Sequence, residues 1–285
     1  MKKLIFLALG AFSSVALAQT AEKKDAAPAG ENVPTQAPLK IDVSKMPRQA
    51  QIIDDVVVPK PDEIFSVLDK IDRPLWHEVL RKAKVKPTGG QEQIALLLGT
   101  VIAEGFIAVE AEDTEAVKNI GNTVLNLAKA INVQKSVLDR SKAIIEGADR
   151  KNWAQVRREL DKAQGDVKEA MIELKSEELS QLISLGGWLR GTEALTDVIE
   201  RAFKKDSAEL LHQPVLVDYF DRRLAAMKPS RKNDPVVMEI HKGLIEIRPL
   251  MGANDGADIS EKSVKEIGAI AERLIKSIQS KSNKE

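Results

Sequence analysis

Three histidines, His77, His212 and His241, together with the carboxylates, carry the metal-binding and acid–base capacity of this 285-residue chain, because it contains no cysteine. That absence excludes disulfide scaffolds, thiolate zinc sites, thiol nucleophiles, iron–sulfur clusters and haem attached through Cys-x-x-Cys-His. Glu209-Leu-Leu-His212 matches the Glu-x-x-His pair of di-iron bundles, in which both side chains leave one face of a helix. Such centres need a second copy and further carboxylates. The second copy is missing, and Pro214 ends the helix at once. Met238 and His241, three apart on one predicted helix, are residue types that hold a haem iron, but axial ligands come from opposite sides of the pocket. Core packing for Met238 and a surface position for His241 are expected instead. Asn254-Asp-Gly-Ala-Asp258 has the composition of a calcium loop without its acidic spacing, and capping of the next helix by Asp258 or Ser260 accounts for it. Neither a Gly-x-Ser-x-Gly elbow nor a phosphate loop is present. The sequence therefore assigns no catalytic residue and no cofactor.

Two charges interrupt the most apolar stretches: Glu104 in Val-Ile-Ala-Glu-Gly-Phe and Arg190 in Gly-Trp-Leu-Arg-Gly. If both helices are central, each charge needs a partner, since an unpaired buried ion costs several kcal/mol. Pairing across the two helices would make a buried polar or ligand site of Glu104, Arg190 and Glu193. The more economical expectation is local: Gln93, Thr100 and Glu104 share one polar stripe, while Arg190 has Glu193 and Asp197 ahead of it on the same helix. The same helices carry small residues four apart, Ala95, Gly99 and Ala103 on the first and Gly187 and Gly191 on the second. Glycine inside a helix costs about 0.5–1 kcal/mol against alanine, so something should offset it. Close helix packing is the simplest offset; room for a ligand between helices is the functional alternative.

The elements that position these residues are almost all helical. Pro61 opens a short helix to about Ile71 and Pro74 another to about Lys84, before Pro87-Thr-Gly-Gly90 breaks the chain. Apolar periodicity predicts helices from Gln91 to about Ala111, from an Asp113 or Thr114 cap through Ile131, and from Lys135 to Glu146 with Gly147 as terminator. Trp153 to Leu174 repeats at heptad spacing and reads as a bundle helix rather than a coiled coil. Ser176 caps a central helix to about Phe203, apolar on most sides. Asp206 opens a short turn, Val215 to Met227 a helix, Lys228 to Asn233 a basic loop, and Pro235 to Met251 and Ser260 to Ser280 the last two helices. No fixed-period repeat is evident. The expected fold is all-α, an irregular bundle of about eight to ten helices over residues 61–285, with a possible internal seam near Lys205. Residues 19–60, rich in Ala, Pro and charge, read as a disordered or extended arm. Within it Gln51 to Val58 is β-prone but expected to be ordered coil at most, because a lone strand cannot make a sheet.

Residues 1–18 read as a secretory signal: Lys2 and Lys3, an apolar run from Leu4 to Val15, and Ala16-Leu-Ala18 as a cleavage site leaving Gln19 as the new terminus. The run is too short to span a bilayer, and no later segment is expected to do so. The whole chain balances 43 basic against 43 acidic residues; without Lys2 and Lys3 the count is 41 against 43. No summed positive field draws nucleic acid. A basic cluster of Arg222, Arg223, Lys228, Arg231 and Lys232 could meet an anionic envelope surface, although Asp218, Asp221 and Asp234 lie close in sequence. The resulting expectation is a soluble, exported, non-catalytic helical protein of the bacterial periplasm. It would bind a protein or small-molecule partner along a groove between the two central helices. A metal or haem bundle using Glu209, His212 or His241 is the alternative, and an envelope-surface protein the third.

Overall fold

The structure, a computed structural model, describes residues 51–53, 56–58, 76–82, 85–252 and 258–280. The signal segment with Ala18 and Gln19, most of the 19–60 arm and the helix expected between Pro61 and Ile71 lie outside the described residues. The chain is an all-α bundle of helices α1 (Gln91–Glu110), α2 (Thr114–Ala130), α3 (Gln134–Asp149), α4 (Trp153–Glu173), α5 (Glu177–Arg201), α6 (Pro214–Ala226), α7 (Pro235–Ile247) and α8 (Glu261–Gln279). Side-chain caps explain several starts: Asp113, Asn152, Asp234 and Ser260 accept from the amides of Ala116, Gln155, Val236 and Ser263.

The first five helices run up and down through four turns of one design. Each turn has three residues, and its middle residue, Glu112, Asn132, Lys151 or Lys175, is left-handed with φ between 51° and 65°. In each, the following amide reaches back to a carbonyl five residues earlier, Asp113 to Ala108, Val133 to Ala128, Asn152 to Gly147 and Ser176 to Met171. This closes the orphan carbonyls of the preceding helix. An odd number of reversals would set α1 and α5 antiparallel; four set them parallel. Accordingly Leu96 meets Gly186, Glu104 meets Arg190, and Ile107 and Ala111 cluster with Ala194 and Val198. α8 packs on α5 in the opposite sense, and its end closes the start of α1, where the Gln93 amide donates to the carbonyls of Ile278 and Ser280. One hydrophobic core runs from Ile94 to Ile278, passing Lys205 without interruption.

Several local expectations change. α3 continues through Gly147 to Asp149, because Gly147 serves a close approach: a Cβ there would stand 2.9 Å from Val156 Cγ2. The basic loop after α6 contains a helical turn, Pro229–Lys232. Gln51 to Val58 is paired, as strands β1 (Gln51–Ile53) and β2 (Val56–Val58) with Ile52 opposite Val57, because the stretch folds back to supply its own partner. α1 is also long and apolar enough to cross a membrane, contrary to the expectation for the later chain; here 83% of that span is buried inside the bundle. A helix surrounded by α2, α5 and α8 must be apolar on most sides.

Candidate segment-docking site

The α1–α5 seam has two halves. In the first, backbone meets backbone. A Cβ on Gly99 would lie 1.9 Å from the Ile183 carbonyl oxygen, and one on Gly186 would lie 2.1 Å from that of Leu96. A Cβ on Gly187 would stand 3.5 Å from the Gly99 carbonyl oxygen, and one on Gly99 would stand 2.8 Å from the Gly187 nitrogen; Ala103 is half-buried. Gly191 is exposed, with nothing within 4 Å of its Cβ position. The close-packing role thus falls to Gly186 and Gly187, and this half of the seam leaves no room for a ligand.

In the second half ionised side chains stand at the seam. Arg190, 2% exposed, donates from Nε to Glu104 Oε2 at 2.5 Å and from Nη1 to Glu193 Oε2 at 2.6 Å. Its third nitrogen, Nη2, donates to the main-chain carbonyl of Val79 at 2.6 Å. Glu104, 4% exposed, accepts the main-chain amide of Arg81 on its other oxygen. The Arg81 guanidinium reaches Glu193 at 2.5 Å and approaches Glu272 of α8 at 4.0 Å. Two arginines and two glutamates therefore balance, and the buried pair turns its remaining hydrogen-bonding capacity on the main chain of an incoming segment. Asp197, expected beside Arg190, pairs with Arg201 instead. Gln93 and Thr100 are also buried, at 2% and 3% exposure, so the polar stripe of α1 faces inward.

The incoming segment is the chain's own strap, a single helical turn at Trp76–Val79 followed by non-helical residues through Arg81, shorter than the helix expected to run on to about Lys84. Trp76 and Val79 are buried against Ile107 and Ala111 of α1 and Ala194 and Val198 of α5. Their spacing of three puts both on one face of the turn. Glu78, on the exposed side, pairs with Arg201. Burial holds the Glu193 carboxyl above its ordinary value, outweighing the opposing charges of Arg190 and Arg81, and Asp197 and Glu104 add to the rise. Sequence reasoning missed Trp76, Val79 and Arg81. The available signal was the apolar i, i+3 pair Trp76 and Val79, with Leu75, Leu80 and Val85 beside it, in the short stretch between Pro74 and the Pro87–Gly90 break.

The other candidates stay apart. His212 Nδ1 is buried without a hydrogen-bond partner, the Glu209 carboxylate standing 3.9 Å away, and His241 Nε2 pairs with Asp221 at 2.7 Å. Among the described residues no group of three or more His, Asp or Glu side chains could hold a metal. Met238 is 55% exposed rather than in the core, since α7 buries Val237, Ile240 and Leu244 instead. In the basic cluster, Arg231 sits between Glu178 at 3.1 Å and Glu92 at 3.6 Å, tying the turn after α6 to the starts of α5 and α1. An apolar cavity of about 70 Å³ lies among α1 to α4, with Ser141 as the one hydroxyl in its lining. Cavities of such lining stay dry.

Fold and site together define an all-α bundle whose α1–α5 seam is filled by the chain's own strap, through its main chain and through Trp76, Val79 and the partly buried Leu80. No protein-family model matches the chain, and neither a curated protein nor a solved structure does.

Proposed function

We propose that this chain is an exported, soluble, non-catalytic module of the bacterial periplasm that docks polypeptide segments at the ion-paired half of the α1–α5 seam. One observation carries the docking reading: Glu104 and Arg190, both almost wholly buried, direct hydrogen bonds at the main-chain atoms of residues 79 and 81. Main-chain recognition with a few apolar anchors is a general means of holding a peptide. Export rests on the basic start, apolar run and small-residue cleavage site of residues 1–18. Two measurements test the reading. Mass spectrometry of the protein from its native compartment should give a chain beginning at Gln19; an intact Met1 terminus in the cytosol would exclude export. A labelled peptide of residues 73–86 should bind the full-length Trp76→Ala variant, whose own strap is weakened, and the absence of binding would exclude docking.

A second reading, contact with an anionic envelope surface, has its own observation. Asp218 is bound by Arg248, Asp221 by His241, and Asp234 caps α7. Arg222, Lys228 and Lys232 are exposed, as are Met238 at 55% and Ile245 at 61% on α7. This reading expects binding to phosphatidylglycerol vesicles that falls as salt rises; binding indifferent to salt counts against it.

A further inference from the structure

We infer that the strap is an internal competitor, and that the site takes in its place a partner's polypeptide segment bearing an aromatic residue, a branched aliphatic residue three positions on, and an arginine two positions after that. The inference rests on the docking function proposed above and names the chemistry of its partner. Each determinant is visible in the occupant now seated. The aromatic and aliphatic positions are those of Trp76 and Val79, buried among Ile107, Ala111, Ala194 and Val198. The arginine position is that of Arg81, whose guanidinium meets Glu193 at 2.5 Å; Glu272, at 4.0 Å, is itself paired with Lys276 at 2.8 Å, so Glu193 is the carboxylate that selects an arginine. Arg190 and Glu104 read only a carbonyl and an amide, which any segment supplies.

Three features make the present occupant exchangeable. The strap helix is four residues long, far below the length at which a helix persists alone, so its form depends on the site. Its outward residues, His77, Glu78 and Lys82, are exposed. Its tether to α1 ends at Gly89, left-handed at φ 91°, and Gly90, while Leu80 and Val85 are only partly buried against the core, so release of the strap gives up few buried contacts beyond Trp76 and Val79. Charge also argues for an exchangeable occupant. A permanently filled seam would be served as well by apolar residues of similar volume, whereas ions aimed at a main chain keep the site specific for one. Because the strap is tethered, it competes at an effective concentration of order millimolar, and a partner's affinity falls by the fraction of molecules in which the site is open.

The test uses the full chain. Fluorescence anisotropy of a labelled peptide of residues 73–86 is measured against wild type, Trp76→Ala and Arg81→Ala, with peptides carrying alanine at the positions of Trp76, Val79 or Arg81 as competitors. The expected result is binding to both strap variants at least tenfold tighter than to wild type, with measurable binding to wild type and at least tenfold loss for each altered peptide. Arg81 is one-third exposed, so Arg81→Ala keeps the comparison available if Trp76→Ala unfolds, which circular dichroism reports. Binding to none of the three proteins overturns the docking function itself. Equal binding to all three, or binding to the variants with none to wild type at 1 mM peptide (roughly the effective concentration of the tethered strap), overturns the competitor while leaving docking intact. Altered peptides that bind undiminished overturn the partner pattern. A wild-type dimer by light scattering that Trp76→Ala abolishes would assign the site to a second copy of this chain and overturn an external partner.

Discussion

Along one pair of parallel helices, Gly99 and Gly186 bring two backbones into contact, while a few residues further on Glu104 and Arg190 hold the same helices around a third segment. The glycine half gains dispersion contacts and excludes everything else. The ionic half gains a place for main-chain atoms from elsewhere, because with the seam filled the buried charges exchange hydrogen bonds with the Val79 carbonyl and the Arg81 amide that an apolar filling could not supply. A small-residue motif and a buried ion pair therefore do opposite things when placed in series on one seam. The first closes it, and the second keeps it open to a segment of fitting chemistry.

The comparison breaks most visibly at the ions. Arg190→Leu or Glu104→Leu should each cost about 3–5 kcal/mol in urea denaturation, since each strands a buried charge. The double variant should cost clearly less than the sum of the two. Additive losses would mean that the two residues do not act as a pair. The glycine half should respond by sterics: Gly99→Ala and Gly186→Ala should each cost about 1–3 kcal/mol as the helices are forced apart. Gly191→Ala, one turn beyond Gly187 but facing open space, should instead gain about 0.5–1 kcal/mol. Equal effects at Gly99 and Gly191 would remove the distinction between the halves.

The turns that set α1 parallel to α5 give a smaller effect. Lys151→Gly and Lys175→Gly should each stabilise by about 0.5–1 kcal/mol, the relief of a left-handed side chain less the added freedom of the unfolded glycine. Unchanged thermal midpoints would argue against that geometry. Finest is the pH response of Glu193. Its folded value is raised above 4.5, so the contribution of this group is fully present below that pH and is lost as pH rises through the raised value. Glu193→Gln should remove that decline from the stability–pH profile; a profile unaltered by the substitution would show that burial does not dominate at this carboxyl.

Much of this was legible in the residues. Glu104 and Arg190 stood out because a charge inside a long apolar run needs a partner, and the helix starts at Asp113 and Ser260 follow from capping side chains, whereas Ser176 stands before α5 without a side-chain bond to its amides. The identity of the partners was not legible. Val79 lies 111 residues from Arg190, and a main-chain carbonyl has no sequence signature. Gly187 and Gly191 looked equivalent at four-residue spacing, yet the register of α1 against α5 assigns close approach to Gly186 and leaves Gly191 in the open. Met238 followed the apolar pattern of α7, but that helix rests on α6 and α8 with another face.

By itself the sequence determined the helical character, the order and approximate bounds of the helices, and the chemistry denied to a chain without cysteine. Those properties are local: periodicity, caps and composition act within a few turns. Tertiary structure alone decided which half of the seam closed, which side chains were buried as ions and what they hold. Those outcomes depend on register and direction between segments far apart in sequence, set by four left-handed turns and by backbone contacts no local pattern encodes.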